Sequence, residues 1–366
     1  MKADNILIIS FVSLLTIGLI MVASSSIYIA ENLTGDPFFF VSKHMLFLGI
    51  GIICLLIFLY IPSDFFLRTD WLFLLLSLML LIALFIPNIG TEVNGSLRWI
   101  DIGFTNIQPS EVIKFSIILY IAGYCYRRNH EISTLRSFMK PLALLTVISL
   151  LIMSQPDLGT SAIIAALVIG MLFYAGISFF QFILLLIVVI SLGVIAVVYT
   201  PYRFARYLAY LDPFHPDVVL GSGYQLSNSL ISIGQGGWFG VGLGNSAQKN
   251  FFLPESYTDF IFAVTVEELG VIGGIFLICM FLMLFYGILR VGWFSMKKER
   301  LFQSYICFGV FLLISIQVLF HISVNIGLIP TKGLTLPFIS YGGTSLLVLM
   351  SLLGIVFRIN NENKLI

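Results

Sequence analysis

Ten long apolar runs decide what this chain can become. They lie near residues 6–29, 44–61, 71–87, 109–126, 139–154, 158–175, 179–199, 260–289, 304–327 and 339–358. A helix rising about 1.5 Å per residue needs roughly 20 apolar residues to cross the hydrocarbon of a bilayer. These runs meet or approach that length, whereas barrel strands would give short alternating segments. The expected fold is all-α: a polytopic membrane protein of about ten transmembrane helices, forming one membrane domain over residues 1–366. Composition agrees, because hydrophobic residues make up 59% of the chain and charged residues only 10%. That is too little charge to clothe a soluble domain of this size. The first run is too long for a signal-peptide core and lacks a small-x-small cleavage site, so it is expected to remain as the first span.

Basic residues orient the bundle. With ten spans both termini share one side, and 12 of the 19 Lys and Arg fall there, among them Arg127, Arg128, Lys140, Lys297, Lys298 and Arg300. They sit in short loops beside helix ends, where the positive-inside rule applies. The termini are therefore expected in the cytoplasm, and a large loop between helices 7 and 8, about residues 200–259, on the outer face. A net charge of +1 offers nothing to a polyanion, so no nucleic-acid partner is expected. Cys54, Cys125, Cys279 and Cys307 lie inside apolar runs and read as small buried hydrophobes. No His, Cys and carboxylate cluster has metal-site spacing.

The outer loop carries most of the polar chemistry. It ends in Leu253-Pro-Glu-Ser-Tyr-Thr-Asp259-Phe-Ile-Phe-Ala-Val-Thr-Val-Glu267-Glu268-Leu-Gly270. Loops this long are functional or disordered, and Trp238, Phe239, Phe251 and Phe252 argue for order. Asp259, where the loop re-enters the eighth span, is a helix cap or a general base. Glu267 and Glu268 lie about two turns deeper, and acids inside a span are costly. Upstream, Gln225 to Ile233 suggests a short interfacial helix bearing Gln225, Asn228 and Ser229. The glycines of Gly237-Trp-Phe-Gly240-Val-Gly242-Leu-Gly244 have no βαβ context and are not a nucleotide fingerprint.

Three further polar stretches face the same side. Asn94-Gly-Ser-Leu-Arg98-Trp-Ile-Asp101 precedes Gln108-Pro109-Ser110-Glu111-Val-Ile-Lys114, in which Pro109 suits the first helical position and Glu111 can pair with Lys114 on one face. The pair is a structural salt bridge, or a cationic wall for an anionic headgroup. Arg98 beside Trp99 is an interfacial anchor, or a tuning cation for Asp259. Asp157 is expected to cap the helix that follows it. In Asn325-Ile-Gly-Leu-Ile-Pro330-Thr-Lys332-Gly333-Leu-Thr-Leu-Pro337, prolines and glycines suggest a folded-in loop with Lys332 as a phosphate anchor.

Taken together, these stretches resemble the SEDS family (shape, elongation, division and sporulation) of membrane peptidoglycan polymerases. The resemblance is dense at residues 94–114, 155–161, 206–249, 253–270 and 325–343. Ala205-Arg-Tyr-Leu-Ala-Tyr-Leu-Asp-Pro213, Gly242-Leu-Gly-Asn-Ser-Ala-Gln-Lys249 and Pro330-Thr-Lys-Gly-Leu-Thr-Leu-Pro337 resemble its division type more than its elongation (RodA-like) type. Asn228, where the family commonly has Gln, and Asn106 are visible departures. The resemblance implies polymerisation of lipid II at the outer face of the bacterial cytoplasmic membrane, beside a class B penicillin-binding protein and other divisome membrane proteins. It implies Asp259 as the essential acid. Arg98, Glu111, Lys114, Lys332, Gln225 and Ser229 are the expected substrate contacts, and Mg²⁺ or Mn²⁺ is an expected aid to the leaving diphosphate. A lipid flippase is the rival reading; it calls for a midplane polar pathway and broken helices.

Overall fold

The computed structural model describes residues 3–87, 89–93, 96–103, 106–250 and 252–364. Asn94 and Phe251, used above, lie outside them. The helices are α1 (Ala3–Thr34), α2 (Phe39–Tyr60), α3 (Ser63–Ala83), α4 (Pro109–Arg127), α5 (Leu135–Met153), α6 (Leu158–Tyr174), α7 (Phe179–Val198), α8 (Pro201–Leu211), α9 (Pro216–Val219), α10 (Tyr224–Gly236), α11 (Ile261–Lys297), α12 (Leu301–Asn325) and α13 (Gly343–Lys364). All ten predicted apolar runs fall on helices of this set. Among the described residues, seven helices (α1, α2, α3, α7, α11, α12 and α13) are long and apolar enough to cross a membrane. The apolar stretches of α5 and α6 are shorter, at Ser137–Met153 and Leu158–Tyr174. The fold is all-α apart from a small antiparallel sheet, β1 (Gly90–Val93), β2 (Ser96–Asp101) and β3 (Asn106–Ile107), that precedes α4.

Contacts divide the chain into two compact units, neither contiguous in sequence. One contains Gly49–Gly193, Tyr286–Ile314 and Gly343–Ile366. Its helices start as local chemistry dictates. Pro109 opens α4, where a missing amide costs nothing. Asp157 caps α6, accepting from the Thr160 amide at 3.2 Å and the Thr160 hydroxyl at 2.8 Å, as expected. Asp70 of α3 is buried and pairs with Arg127 of α4 at 2.7 Å. Glu362 near the end of α13 takes the Ser63 hydroxyl at 2.5 Å and Arg358 Nε at 2.8 Å.

The other unit contains Met1–Leu48, Val194–Phe285 and Ser315–Gly342. The stretch expected as a loop holds three helices, α8, α9 and α10. The predicted interfacial helix exists, but it buries its polar face. Ser227, Asn228, Ser229 and Ser232 are inside while Ile231 is exposed. A Cβ on Gly236 would lie 2.1 Å from Val266 O, so α10 runs against the first turns of α11 backbone to backbone. Satisfying buried hydroxyls inward while showing isoleucine outward suits a helix flanked by lipid.

α11 itself is broken at Gly270, whose φ of 74° and ψ of 179° suit glycine alone. A break leaves helix carbonyls and amides without partners. Segment 237–242 takes them: Val241 N and Gly242 N donate to Glu267 O and Glu268 O at 2.9 and 3.0 Å, and Val271 N and Ile272 N donate to Gly237 O and Trp238 O at 2.9 and 3.3 Å. Gly270 lies about 14 Å along the axis from Ile261 at the rise of an α-helix. The chain from Tyr224 to Lys249 therefore runs deep beside α11 before Asp259 is reached.

Candidate active site

Asp259 sits two residues ahead of α11, half-buried, at the end of a tight turn. Glu255, at φ 56°, builds that turn by accepting from the amides of Thr258, Asp259 and Phe260 at 3.2, 3.0 and 3.2 Å. The Glu255 carboxylate also accepts the Thr258 hydroxyl at 2.8 Å. Across from the turn runs segment 330–337. A Cβ on Gly333 would fall 2.6 Å from Asp259 Oδ2, so the carboxylate lies directly on the backbone beside Lys332. Lys332 is half-buried. Arg206 of α8 holds this segment by donating to Thr331 O at 3.3 Å, and the Tyr210 hydroxyl donates to Leu328 O at 2.9 Å.

Beneath the acid is a residue to which the sequence assigned no role. Asn325 is fully buried at the end of α12. Its Nδ2 donates to Asp259 O at 3.0 Å and to His321 O at 2.8 Å, while its Oδ1 accepts from Ala263 N at 3.0 Å. Ala263 is the third residue of α11, whose amide a local N-cap side chain would ordinarily take. Capping thus comes from another helix. The signal was an amide inside an otherwise apolar span, which the neighbouring prolines and glycines overshadowed.

Deeper along α11 the paired acids part company. Glu267 accepts from Ser232 Oγ at 2.5 Å, Ser246 Oγ at 2.7 Å and Ala247 N at 2.8 Å. Glu268 pairs with Lys249 at 2.7 Å and accepts from Ser24 Oγ of α1 at 2.6 Å. Both carboxylates are buried, and each is surrounded by donors. Burial, with Glu255, Tyr341 and Asp259 adding to it, pushes the Tyr257 phenol above its usual range.

A match to the FtsW, RodA and SpoVE family, described as cell cycle protein, spans residues 5–365. This chain belongs to the FtsW/RodA/SpoVE family. Its relatives include the probable peptidoglycan glycosyltransferase FtsW of Saccharophagus degradans, 44% identical over 95% of this chain and 90% of that one. The probable peptidoglycan glycosyltransferase FtsW of Coxiella burnetii is 41% identical over 99% and 97%. The fold is also that of the family's solved structures. RodA of Thermus thermophilus superimposes with a TM-score of 0.71 at 23% identity, over 98% of this chain and 96% of that one. A chain from a peptidoglycan synthase complex gives 0.80 at 23% identity, over 98% and 97%.

The remaining predicted site residues of this family member fall as follows. Gln225 and Ser229 are both on α10. Gln225 is half-buried; Ser229 is fully buried and gives its hydroxyl to Asn325 O at 2.9 Å, which makes it a prop for Asn325. In the other unit, Lys114 is 1% exposed and closes on Glu111 at 2.5 Å, the predicted i,i+3 pair. Arg98 is half-buried and donates through Nε to Gln155 O at 3.1 Å and through Nη2 to Pro156 O at 2.9 Å. It staples β2 to the turn before α6. Among the described residues no group of three His, Cys, Asp or Glu side chains could hold a metal ion.

Proposed function

We propose that this protein polymerises lipid II into glycan strands at the outer face of the cytoplasmic membrane, for septal wall synthesis during division. The observation that carries the reading is a carboxylate seated against Gly333, with Lys332 adjacent in the chain. Asp259 accepts the proton of the acceptor's GlcNAc 4-hydroxyl. The freed oxygen attacks C1 of the donor MurNAc with inversion, and the C1–oxygen bond to undecaprenyl diphosphate breaks, its electron pair leaving with the diphosphate. General-base assistance of this kind contributes about 10²–10⁴-fold. Lys332 offsets the negative charge that grows on the leaving group.

Lys114 and Arg98 are spent on Glu111 and on two carbonyls, which favours supporting roles within their own unit. Mg²⁺ or Mn²⁺ enters the proposal only as a companion of the diphosphate. Asp259 offers it one carboxylate, and Mg²⁺ is commonly held by one or two carboxylates plus substrate phosphates. Both termini are assigned to the cytoplasm on the bias of Lys and Arg. The partner is a class B penicillin-binding protein, with other divisome membrane proteins around the pair.

One observation favours a second reading. The broken α11 is a trait of transporters, which bind their cargo at unwound backbone. Here, however, the four backbone groups flanking Gly270 are taken by 237–242. Labelled lipid II given to the purified protein with its transpeptidase partner decides the matter. Glycan chains from the wild type and none from Asp259→Asn support the polymerase. Equal chains from both refute the base, and scrambling of the lipid in vesicles without polymer supports the transporter.

A further inference from the structure

Three aromatic rings from separate segments of one unit pack together, and one of them, Tyr257, lies two residues before Asp259. The Phe40 ring centroid lies 4.7 Å from that of Tyr257 and 5.4 Å from that of Tyr341, and the two tyrosines are 5.8 Å apart. Backbone and hydroxyl bonds fix the cluster: Tyr341 N donates to Tyr257 O at 3.0 Å, and Ser340 Oγ to Thr258 O at 2.6 Å. All three rings are half-buried, so each keeps surface that its neighbours do not cover. Tyr257 is two residues from Asp259, close enough for the carboxylate to act on its phenol. A membrane-interface belt accounts for aromatic residues at helix ends. It does not account for rings packed on one another and tied by hydrogen bonds to the turn that presents an acid.

The chemistry that matches such a surface is a pyranose. One face of a sugar ring is rich in C–H groups and its rim in hydroxyls. An aromatic face is negative and attracts polarised C–H groups, while a tyrosine adds a hydroxyl at its edge. We propose that Tyr257, Tyr341 and Phe40 form a stacking platform for the acceptor sugar, presenting its hydroxyl to Asp259. This deepens the polymerase reading and rests on it. It assigns recognition of the sugar ring to this surface, separately from the polyprenyl tail and the diphosphate.

The test uses the full-length protein with its transpeptidase partner and compares Tyr257→Leu and Tyr341→Leu with the wild type. Loss of one stacked ring is expected to raise KM for lipid II about threefold to tenfold, and Tyr257→Phe, which keeps the ring, to restore it. Undecaprenyl diphosphate carries tail and phosphates without sugar, and it should inhibit the leucine variants as it inhibits the wild type. Unchanged KM in both leucine variants overturns the platform, and so does a matching loss of inhibition by undecaprenyl diphosphate. Where Tyr257→Leu fails to assemble with the partner, Phe40→Leu carries the same comparison from the far side of the cluster. Asp259→Asn, run in parallel, separates the two ideas. Full polymerisation by Asp259→Asn sinks the underlying reading, whereas an inactive Asp259→Asn beside unaffected leucine variants sinks the platform alone.

Discussion

Gly333→Ala isolates the placement of the acid from the presence of the acid. The new Cβ would lie 2.6 Å from Asp259 Oδ2 and 3.4 Å from its Cγ. Ordinary contact begins near 3.4 Å, so the carboxylate must retreat by roughly 0.8 Å. The backbone at 333 is not in the left-handed region, so alanine fits it without strain. The clash is with the end of a side chain, and the cost to folding should stay below about 1 kcal/mol, within the range of an unremarked surface change. Catalysis is less tolerant. A displacement of about 1 Å at a reacting group costs on the order of 10²-fold, so kcat for lipid II polymerisation should fall about a hundredfold while the melting temperature in detergent barely moves. Asp259→Asn should fall by about 10²–10⁴-fold. The double variant should be no slower than Asp259→Asn alone, because both changes act through one carboxylate. Wild-type kcat in Gly333→Ala, or losses that simply multiply in the double variant, would refute the geometry.

Other perturbations probe the supports. Asn325→Ala strips partners from Asp259 O and Ala263 N, and buried groups left unpaired cost about 1–3 kcal/mol each; thermal melting should show that loss together with reduced polymerisation. Lys249→Met leaves Glu268 buried without its cation, at a cost of about 3–5 kcal/mol, and Lys249→Met with Glu268→Leu should recover much of it. Gly270→Ala meets Trp238 O at 2.3 Å in a conformation alanine avoids, so it should destabilise by more than about 1–3 kcal/mol. The Tyr257 phenol is raised above its usual 10.0 mainly by burial. A raised acid holds its proton better folded than unfolded, so the stability it contributes is complete below about pH 10 and is lost only above it. Activity profiles should therefore show no tyrosinate limb below about pH 10, and a downturn there that Tyr257→Phe abolishes would contradict this.

Much of the fold could be read from apolar run length, because burial in lipid imposes one rule on each span independently of its neighbours. Asp157 and the Glu111–Lys114 pair were legible for the same reason: capping and i,i+3 pairing are local, and each formed as its spacing demanded. Long-range contacts were not. Nothing in the spacing of Asn325 reveals that it caps a helix 62 residues away and holds the carbonyl of Asp259. The inward turn of the α10 hydroxyls, Ser229 to Asn325 O among them, likewise depends on a partner 96 residues away. Arg98 read as an interfacial anchor or a cation tuning Asp259, and its spacing gives no sign of carbonyl partners on a turn 57 and 58 residues distant.

The paired acids show why a membrane protein accepts two buried carboxylates one residue apart. Neighbours on a helix point about 100° apart, so Glu267 and Glu268 face different partners and need not share one charge environment. Glu267 is met by neutral donors from 232 and 246–248, and Glu268 by Lys249 and Ser24. Each group of donors lies on the returning segment or on the elements beside it. Desolvating the acids is costly, yet it ties residues 246–249 to α11 just above the break at Gly270. Only about ten residues then separate that anchor from Asp259, and they end in the turn built on Glu255. The position of the acid is thereby fixed from both sides, by the clamp below and by Asn325 behind. Loosening Glu267 with Glu267→Gln should reach Asp259 through the loop, lowering kcat with little change in KM. A rise in KM alone would place these acids in substrate binding.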